Sequence, residues 1–292
     1  MKPSLFEYVA PDTLDGAIQA LNDDPGAMVL AGGQSLVPAM NFRLASPSRL
    51  VDLRGIADLR KLEVEGGVIR VGAMVRHRTV ERDDAVHRAN PLLREALAHV
   101  AHVPIRNRGT VVGSLCHADA AAEMPLVLLL TGGSVLARSA TGERRIHADE
   151  FFRFHMTTAR EPGEIVVSAD FPALPQGAGC AFEEYARRHG DYAIAAVGVI
   201  VHKDRDGLIR EARVAACGIG SRPILLDAAA RAVAGTRMTE QDLDAAVRAS
   251  ADYVTAPDDA NISTEYRKHL LGSLLRRAFL RAASRAQAGQ GG

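Results

Sequence analysis

Apolar positions near the N-terminus change period within a few dozen residues. Leu14, Ala17, Ile18 and Leu21 recur at helical spacing behind Asp12 and Thr13, residue types that cap a helix start. The short apolar run in "AMVLAGG" reads as a strand entering a glycine turn, and "RLVDL" reads as another strand. The opening therefore has a β–α–β–turn–β rhythm. Further on, residues 61–75, "KLEVEGGVIRVGAMV", alternate on both sides of Gly66-Gly67, which predicts a hairpin. Asn90-Pro91 has the form of an N-cap and first helical position, opening a helix through Leu92, Leu93, Leu97 and Val100. A loop follows, then a glycine-containing turn at 109–114 and a helix from about Asp119 to Leu130. "SVLARSATGERRI" predicts another hairpin and "EIVVSADFP" another strand.

Composition shifts at 172–179, "PALPQGAG", where prolines and glycines cluster, and this marks a boundary. Beyond it "CAFEEYARR", "YAIAAVGVIVHK" and "LIREARVAACGIG" read as three strands, the last two joined by a tight turn at Asp204–Gly207. The tail is helical. Thr239 and Asp242 form a capping-box pair, and Leu270, Leu271, Leu274, Leu275 and Ala278 share one face. The last residues, 286–292, have the composition of a disordered tail. The class is α+β in two parts: residues 1–175, with subdomains of about 1–55 and 56–175, and residues 176–285.

The chain's 292 residues are more than one ordinary domain needs, in keeping with that division. Its 47% hydrophobic and 24% charged residues are a globular composition. The 35 basic residues balance 35 acidic ones, so no global charge draws the chain to nucleic acid. Cys116, Cys180 and Cys217 lie far apart, which excludes a disulfide framework, a zinc ribbon or an iron–sulfur site of usual spacing. No stretch of about 18 apolar residues exists to span a membrane, and no signal peptide is recognisable. The expectation is a cytoplasmic protein without membrane insertion.

Familiar catalytic signatures are missing. No G-x-x-x-x-G-K-[ST] and no G-x-S-x-G occur. Gly218-Ile219-Gly220 begins like a dinucleotide fingerprint but meets Pro223 where the third glycine belongs. His99 and His102, three apart, form either a metal-binding helix face or a solvated helix end, and no third ligand is evident. His117-Ala118-Asp119 is either a polar pair or a helix start capped by Asp119. Two glycine turns remain, Gly32-Gly33-Gln34-Ser35 and Gly109-Thr110-Val111-Val112-Gly113-Ser114. Each joins a backbone free of Cβ atoms to a hydroxyl, the makings of an anion-binding nest. Two such turns suggest a diphosphate held between them.

In this order and spacing, "AGGQSLVPAMNFRLASPSRLVDL", "RNRGTVVGSLCHADAAAEMP" and "GDYAIAAVGV" resemble the FAD-binding medium subunit of the molybdenum hydroxylases, the carbon monoxide dehydrogenase and xanthine dehydrogenase family. The resemblance runs from Phe6 to about Leu280. It implies a vanillyl-alcohol-oxidase-type FAD-binding domain of two α/β subdomains. A C-terminal domain with a three-stranded antiparallel sheet and a helical bundle would follow. Ala31, Gly32, Gly33, Gln34, Ser35 and Leu36 would lie along the FAD diphosphate, with Thr110, Gly113 and Ser114 as a second clamp. Asp119 would be a polar contact farther along, and Asp191 and Tyr192 would lie near the isoalloxazine, with Arg187 or Arg188 nearby. The family's second turn usually has two consecutive glycines where this chain has Val112 and Gly113. A Cβ at 112 needs a negative φ and narrows the approach. For Tyr192 a place in the core at the start of an apolar strand is the other reading. Arg187 and Arg188 could equally be a solvated pair.

The resemblance implies non-covalent FAD here, with molybdopterin on a large partner subunit and [2Fe–2S] clusters on a small one, in a dimer of heterotrimers. This chain would accept electrons from those clusters and pass them to an external acceptor, with no catalytic acid or base of its own. A standalone flavin oxidoreductase, with FAD linked through Cys116 or His117, is one alternative. A scaffold that has lost the cofactor is another.

Overall fold

The computed structural model describes residues 2–259 and 262–288. The chain begins with a three-stranded parallel sheet in which Arg49–Asp52 lies between Glu7–Val9 and Ala27–Leu30. The helix Leu14–Asn22 crosses between the outer strands, its start capped by the Thr13 side chain, which accepts from the Gly16 amide. Ala17, Ile18 and Leu21 are its buried face. A five-stranded antiparallel sheet follows, in the order Leu62–Glu65, Val68–Gly72, Ile165–Pro172, Ser134–Ser139, Gly142–His147. Both predicted hairpins form its edges; in the first, Gly66 and Gly67 take the left-handed conformation the turn requires (φ 59° and 76°).

The C-terminal sheet is antiparallel and four-stranded, in the order Gly179–Tyr185, Ala195–Lys203, Ile209–Cys217, Ile224–Leu225. Three strands were expected. The fourth is two residues long, directly after Pro223, too short to carry an apolar period. Proline's missing donor suits an edge position of this kind. The strand Ala195–Lys203 is apolar almost throughout because both of its faces are covered. Ala196 and Ile200 face the core shared with the first half of the chain, while Val197, Val199 and Val201 face the helices Asp227–Val233, Glu240–Ser250 and Thr264–Arg285. The five apolar positions predicted on the last helix are all buried, and Thr239 and Asp242 form the capping box.

Between the two larger sheets lies the helix Glu123–Thr131, buried along its whole length. A Cβ on Gly198 would stand 2.6 Å from Leu130 Cδ2 and 2.9 Å from Leu126 Cδ2, so that glycine lets the helix seat on the C-terminal sheet. The sequence predicted one helix from Asp119; instead Val111–His117 is a separate helix, Ala118 is left-handed (φ 50°), and the next helix starts at Glu123. Pro125 explains the late start. In the first turn it needs no donor, whereas a helix begun at Asp119 would drive its ring against the Ala121 carbonyl. Three further expectations change. Tyr192 precedes its strand, which begins at Ala195. His99 ends one helix while His102 caps the next, so they share no helix face. Within the expected tail, the Gln287 amide donates to the Gly177 carbonyl and Ala288 pairs with Lys203, while 289–292 lie outside the described residues.

Candidate functional site

The strand Ala27–Leu30 delivers the chain into Ala31–Ser35 at a place with no room for side chains. Gly33 has φ +73°, and a Cβ on Gly32 would lie 2.5 Å from the Arg108 carbonyl oxygen and 3.0 Å from the Thr110 amide nitrogen. The two glycine segments therefore touch. Gln34 Nε2 closes the turn on the Gly32 carbonyl at 3.1 Å. The amides of Gly33, Gln34, Ser35 and Leu36 meet no acceptor among the described residues, and Ser35 caps the following helix without a side-chain bond. Consecutive unpaired amides beside a hydroxyl are an anion-binding arrangement.

The second segment is not the open turn expected from its glycines. Thr110 is the N-cap of Val111–His117, and its hydroxyl accepts from the Gly113 amide at 3.1 Å. The Val111 amide donates to the Val75 carbonyl and the Ser114 amide to Thr110, so most of this segment's donors are occupied. Gly113 is required because a Cβ there would press to 2.5 Å on Thr110 Oγ1; it would also reach to 3.9 Å from the Ala31 Cβ. Val112 points into the core, 2% exposed, with helical backbone. It does not crowd the first loop. Beneath Gly109, Arg106 is clamped by Glu81 and by the Val100 and Ala101 carbonyls. The His77 amide donates to the Gly109 carbonyl. The buried His77 ring lies against Gly109, both nitrogens unpartnered among the described residues; burial first, then Arg106, lowers its pKa to about 4.

Tyr192 reaches this region from the C-terminal part. Its residue surface is 53% exposed, yet the phenol end is enclosed near Ser35, Asp119 and Glu123. Burial first, then those two carboxylates, pushes its pKa up to about 12. Asp119 is buried and accepts from the Ala121 amide at 2.8 Å, making a turn rather than a helix cap. Asp191 is exposed and lines a groove of about 440 Å³ with Arg187, Tyr192 and Arg267. Ser114 is half-buried on its helix, and Leu36 packs on the small cluster of Leu30, Met40 and Leu50. The structure thus joins Ala31–Ser35 to Thr110, Gly113, Tyr192 and Asp119, and leaves Asp191 at the groove next door.

Two carboxylic acids at the site escaped the sequence reading. Glu123 interrupts an apolar run, a visible signal, while Glu184 sits in a strand and gave none. Glu184 pairs across the sheet with Ala196, and Ala196 with Cys217, which sets all three on one face. The Glu184 side chain is 3% exposed, with Oε2 unpartnered among the described residues and Oε1 3.7 Å from His99 Nδ1. Burial raises the pKa of both acids, with Asp119 adding to the rise at Glu123 and Glu123 to the rise at Glu184. Arg54 and Arg108 were also missed. They line a groove of about 400 Å³ bordered by Leu30–Gln34, Val37 and Pro38.

Comparison with known proteins places this geometry. Residues 4–174 match the family model "FAD binding domain in molybdopterin dehydrogenase", and residues 180–282 match "CO dehydrogenase flavoprotein C-terminal domain". The chain belongs to the FAD-binding medium subunits of the molybdenum hydroxylases. It is 38% identical to the 6-hydroxypseudooxynicotine dehydrogenase complex subunit alpha of Paenarthrobacter nicotinovorans, over 98% of this chain and 97% of that one. It is 34% identical to the carbon monoxide dehydrogenase medium chain of Afipia carboxidovorans, over 98% and 100%. Among solved structures, quinoline 2-oxidoreductase from Pseudomonas putida 86 superposes with a TM-score of 0.93 at 37% identity, over 97% and 99%. Carbon monoxide dehydrogenase from Hydrogenophaga pseudoflava gives 0.95 at 30%, over 98% and 100%. The fold is therefore the α+β FAD-binding fold of these medium subunits. Among the described residues no helix is long and apolar enough to cross a membrane.

Proposed function

We propose that this chain holds FAD non-covalently and transfers electrons from the [2Fe–2S] clusters of a small partner subunit to an external acceptor. On this reading the complex is a cytoplasmic dimer of heterotrimers, and its large subunit carries molybdopterin and the substrate. The chain divides near residue 175 into an FAD-binding domain, with subdomains 1–55 and 56–175, and a C-terminal domain.

The observation that carries the reading is the free backbone of Gly33–Leu36, set against Arg108–Thr110 by the absence of a Cβ on Gly32. Consecutive amides without internal acceptors fit a diphosphate, and a groove of about 400 Å³ runs beside them. Ala31, Gly32, Gly33, Gln34, Ser35 and Leu36 would hold the diphosphate, with Thr110, Gly113 and Ser114 keeping the facing helix in place. Tyr192, Asp119 and Asp191 would border the ring end. FAD, when bound, supplies the electron-transfer chemistry. The residues contribute position, exclusion of water and local charge. Covalent attachment finds no support at Cys116, where burial raises the thiol pKa to about 11 and keeps it from the thiolate form.

Gly33→Val tests the loop directly. The purified variant should lose flavin colour while the C-terminal domain stays folded by hydrogen exchange. Wild-type flavin retention in that variant would remove the diphosphate assignment. Flavin released into the supernatant on acid precipitation of the wild type would confirm non-covalent binding.

A further inference from the structure

The groove beside the first glycine loop has a charge that the balanced sequence total conceals. Arg54 and Arg108 line it. Behind them, Arg60 Nη2 donates to the Arg54 carbonyl and Arg76 Nη1 to the Arg108 carbonyl, so each rear arginine pins the main chain of a front one. The four guanidinium groups form one cluster. The charges that act on Arg76 are Arg108, Arg60 and Arg54, opposed by the single carboxylate of Asp52.

That carboxylate is already engaged. Asp52 is fully buried and accepts from the Tyr8 hydroxyl at 2.7 Å, from Arg54 Nε at 2.6 Å and from the Arg54 amide at 2.9 Å. Arg60, Arg76 and Arg108 have no carboxylate partner among the described residues. Four cations gathered around one committed anion repel one another, and the fold keeps them together through main-chain bonds. An arrangement of that kind is stabilised by an anion entering from outside, and guanidinium forks match the paired oxygens of a phosphate. The anion has to fit between these forks and the free amides of Gly33 and Gln34, which line the other wall of the same groove. A diphosphate diester has the charge and length to meet both.

We infer that Arg54 and Arg108, braced by Arg60 and Arg76, grip the diphosphate of FAD and make this chain select the dinucleotide over flavins that lack a diphosphate. The inference rests on the FAD reading above. It adds the specificity-determining side chains that neither glycine segment supplies.

The test is a flavin titration of the full-length, deflavinated chain with FAD, FMN and riboflavin at low and high salt. Arg108→Gln is the leading variant because Arg108 holds no carboxylate whose loss would disturb the fold. It should raise the FAD dissociation constant about tenfold, the equivalent of one charge-assisted hydrogen bond. Its salt dependence should flatten, and riboflavin binding should not change. Arg108→Lys, which keeps the charge without the fork, should recover part of the loss. Arg54→Gln should act in the same direction, with thermal melting used to separate affinity from stability. ADP should displace FAD from the wild type and far less readily from Arg108→Gln. Wild-type FAD affinity and salt slope in both glutamine variants would overturn the inference. So would variants that keep FAD but lose salt-sensitive association with the partner chains, since the arginines would then serve docking. If Gly33→Val still abolishes FAD binding in those cases, the loop assignment survives and only the arginine role falls; a wild-type chain that binds no flavin overturns both.

Discussion

Gly32 lies directly against Gly109: a Cβ on the first would stand 2.6 Å from the Cα of the second. The contact belongs to the protein itself and not to a ligand, because it decides how closely two distant segments of chain approach. Gly32→Ala should push the first loop off Arg108–Thr110, at a cost of about 1–3 kcal/mol for an overpacked site. Thermal melting together with flavin content measures both effects. An unchanged melting temperature would show that the loops have room to separate.

Val112 occupies the place where the family resemblance led to an expectation of glycine, and its side chain is in the core. Restoring glycine should therefore do harm. Val112→Gly removes a buried side chain and places glycine in the first turn of a helix, which together cost about 2–4 kcal/mol. Flavin affinity should not improve. Chemical denaturation and a flavin titration of the same variant give the two readouts, and a gain in affinity would mean that Val112 does narrow the site.

Glu123 and Glu184 set a pH dependence. Burial, helped by Asp119 at Glu123 and by Glu123 at Glu184, raises them to about 7 and about 8, above the 4.5 of an ordinary glutamate. The folded state then binds more protons than the unfolded state between those limits. Their contribution is fully present below about pH 4.5 and lost as pH rises towards 8. His77 acts in the opposite sense. Its pKa is lowered from 6.5 to about 4, so its contribution is present above 6.5 and lost as pH falls towards 4. Above pH 6.5 the falling limb therefore belongs to the acids. Glu184→Gln should flatten it in melting curves recorded between those values; an equally steep fall in the variant would assign the slope elsewhere.

Tyr192 brings its hydroxyl near Ser35 while much of its surface stays exposed. Tyr192→Phe should leave stability within about 1 kcal/mol of wild type, the scale of one neutral hydrogen bond. The ring end of a bound flavin should lose order, seen as a change in flavin fluorescence anisotropy. A large drop in melting temperature would recast Tyr192 as a packing residue.

Much of this protein was legible in its sequence. The Thr13 and Asn90 caps, both glycine hairpins, the capping box of Thr239 and Asp242 and the buried face from Leu270 to Ala278 all depend on near neighbours in the chain. Local spacing and dihedral preference decide such features, so short windows of sequence contain them. Gly32 and Gly33 were visible for the same reason, as a backbone that must approach something closely.

The sequence did not say what they approach. Gly109 on Gly32, Tyr192 beside Ser35, the sharing of a buried environment by Glu123 and Glu184, and four arginines around one aspartate all join residues far apart in the chain. Each depends on how sheets stack and which helix lies between them, and no residue's neighbours in sequence record that. The helix break at Ala118 and the depth of Val112 belong to the same class. Short windows of chain specify the elements and the chemistry of the first loop, while the charges and surfaces that loop faces follow from the folded arrangement, because electrostatics and packing act through space and take no account of chain order.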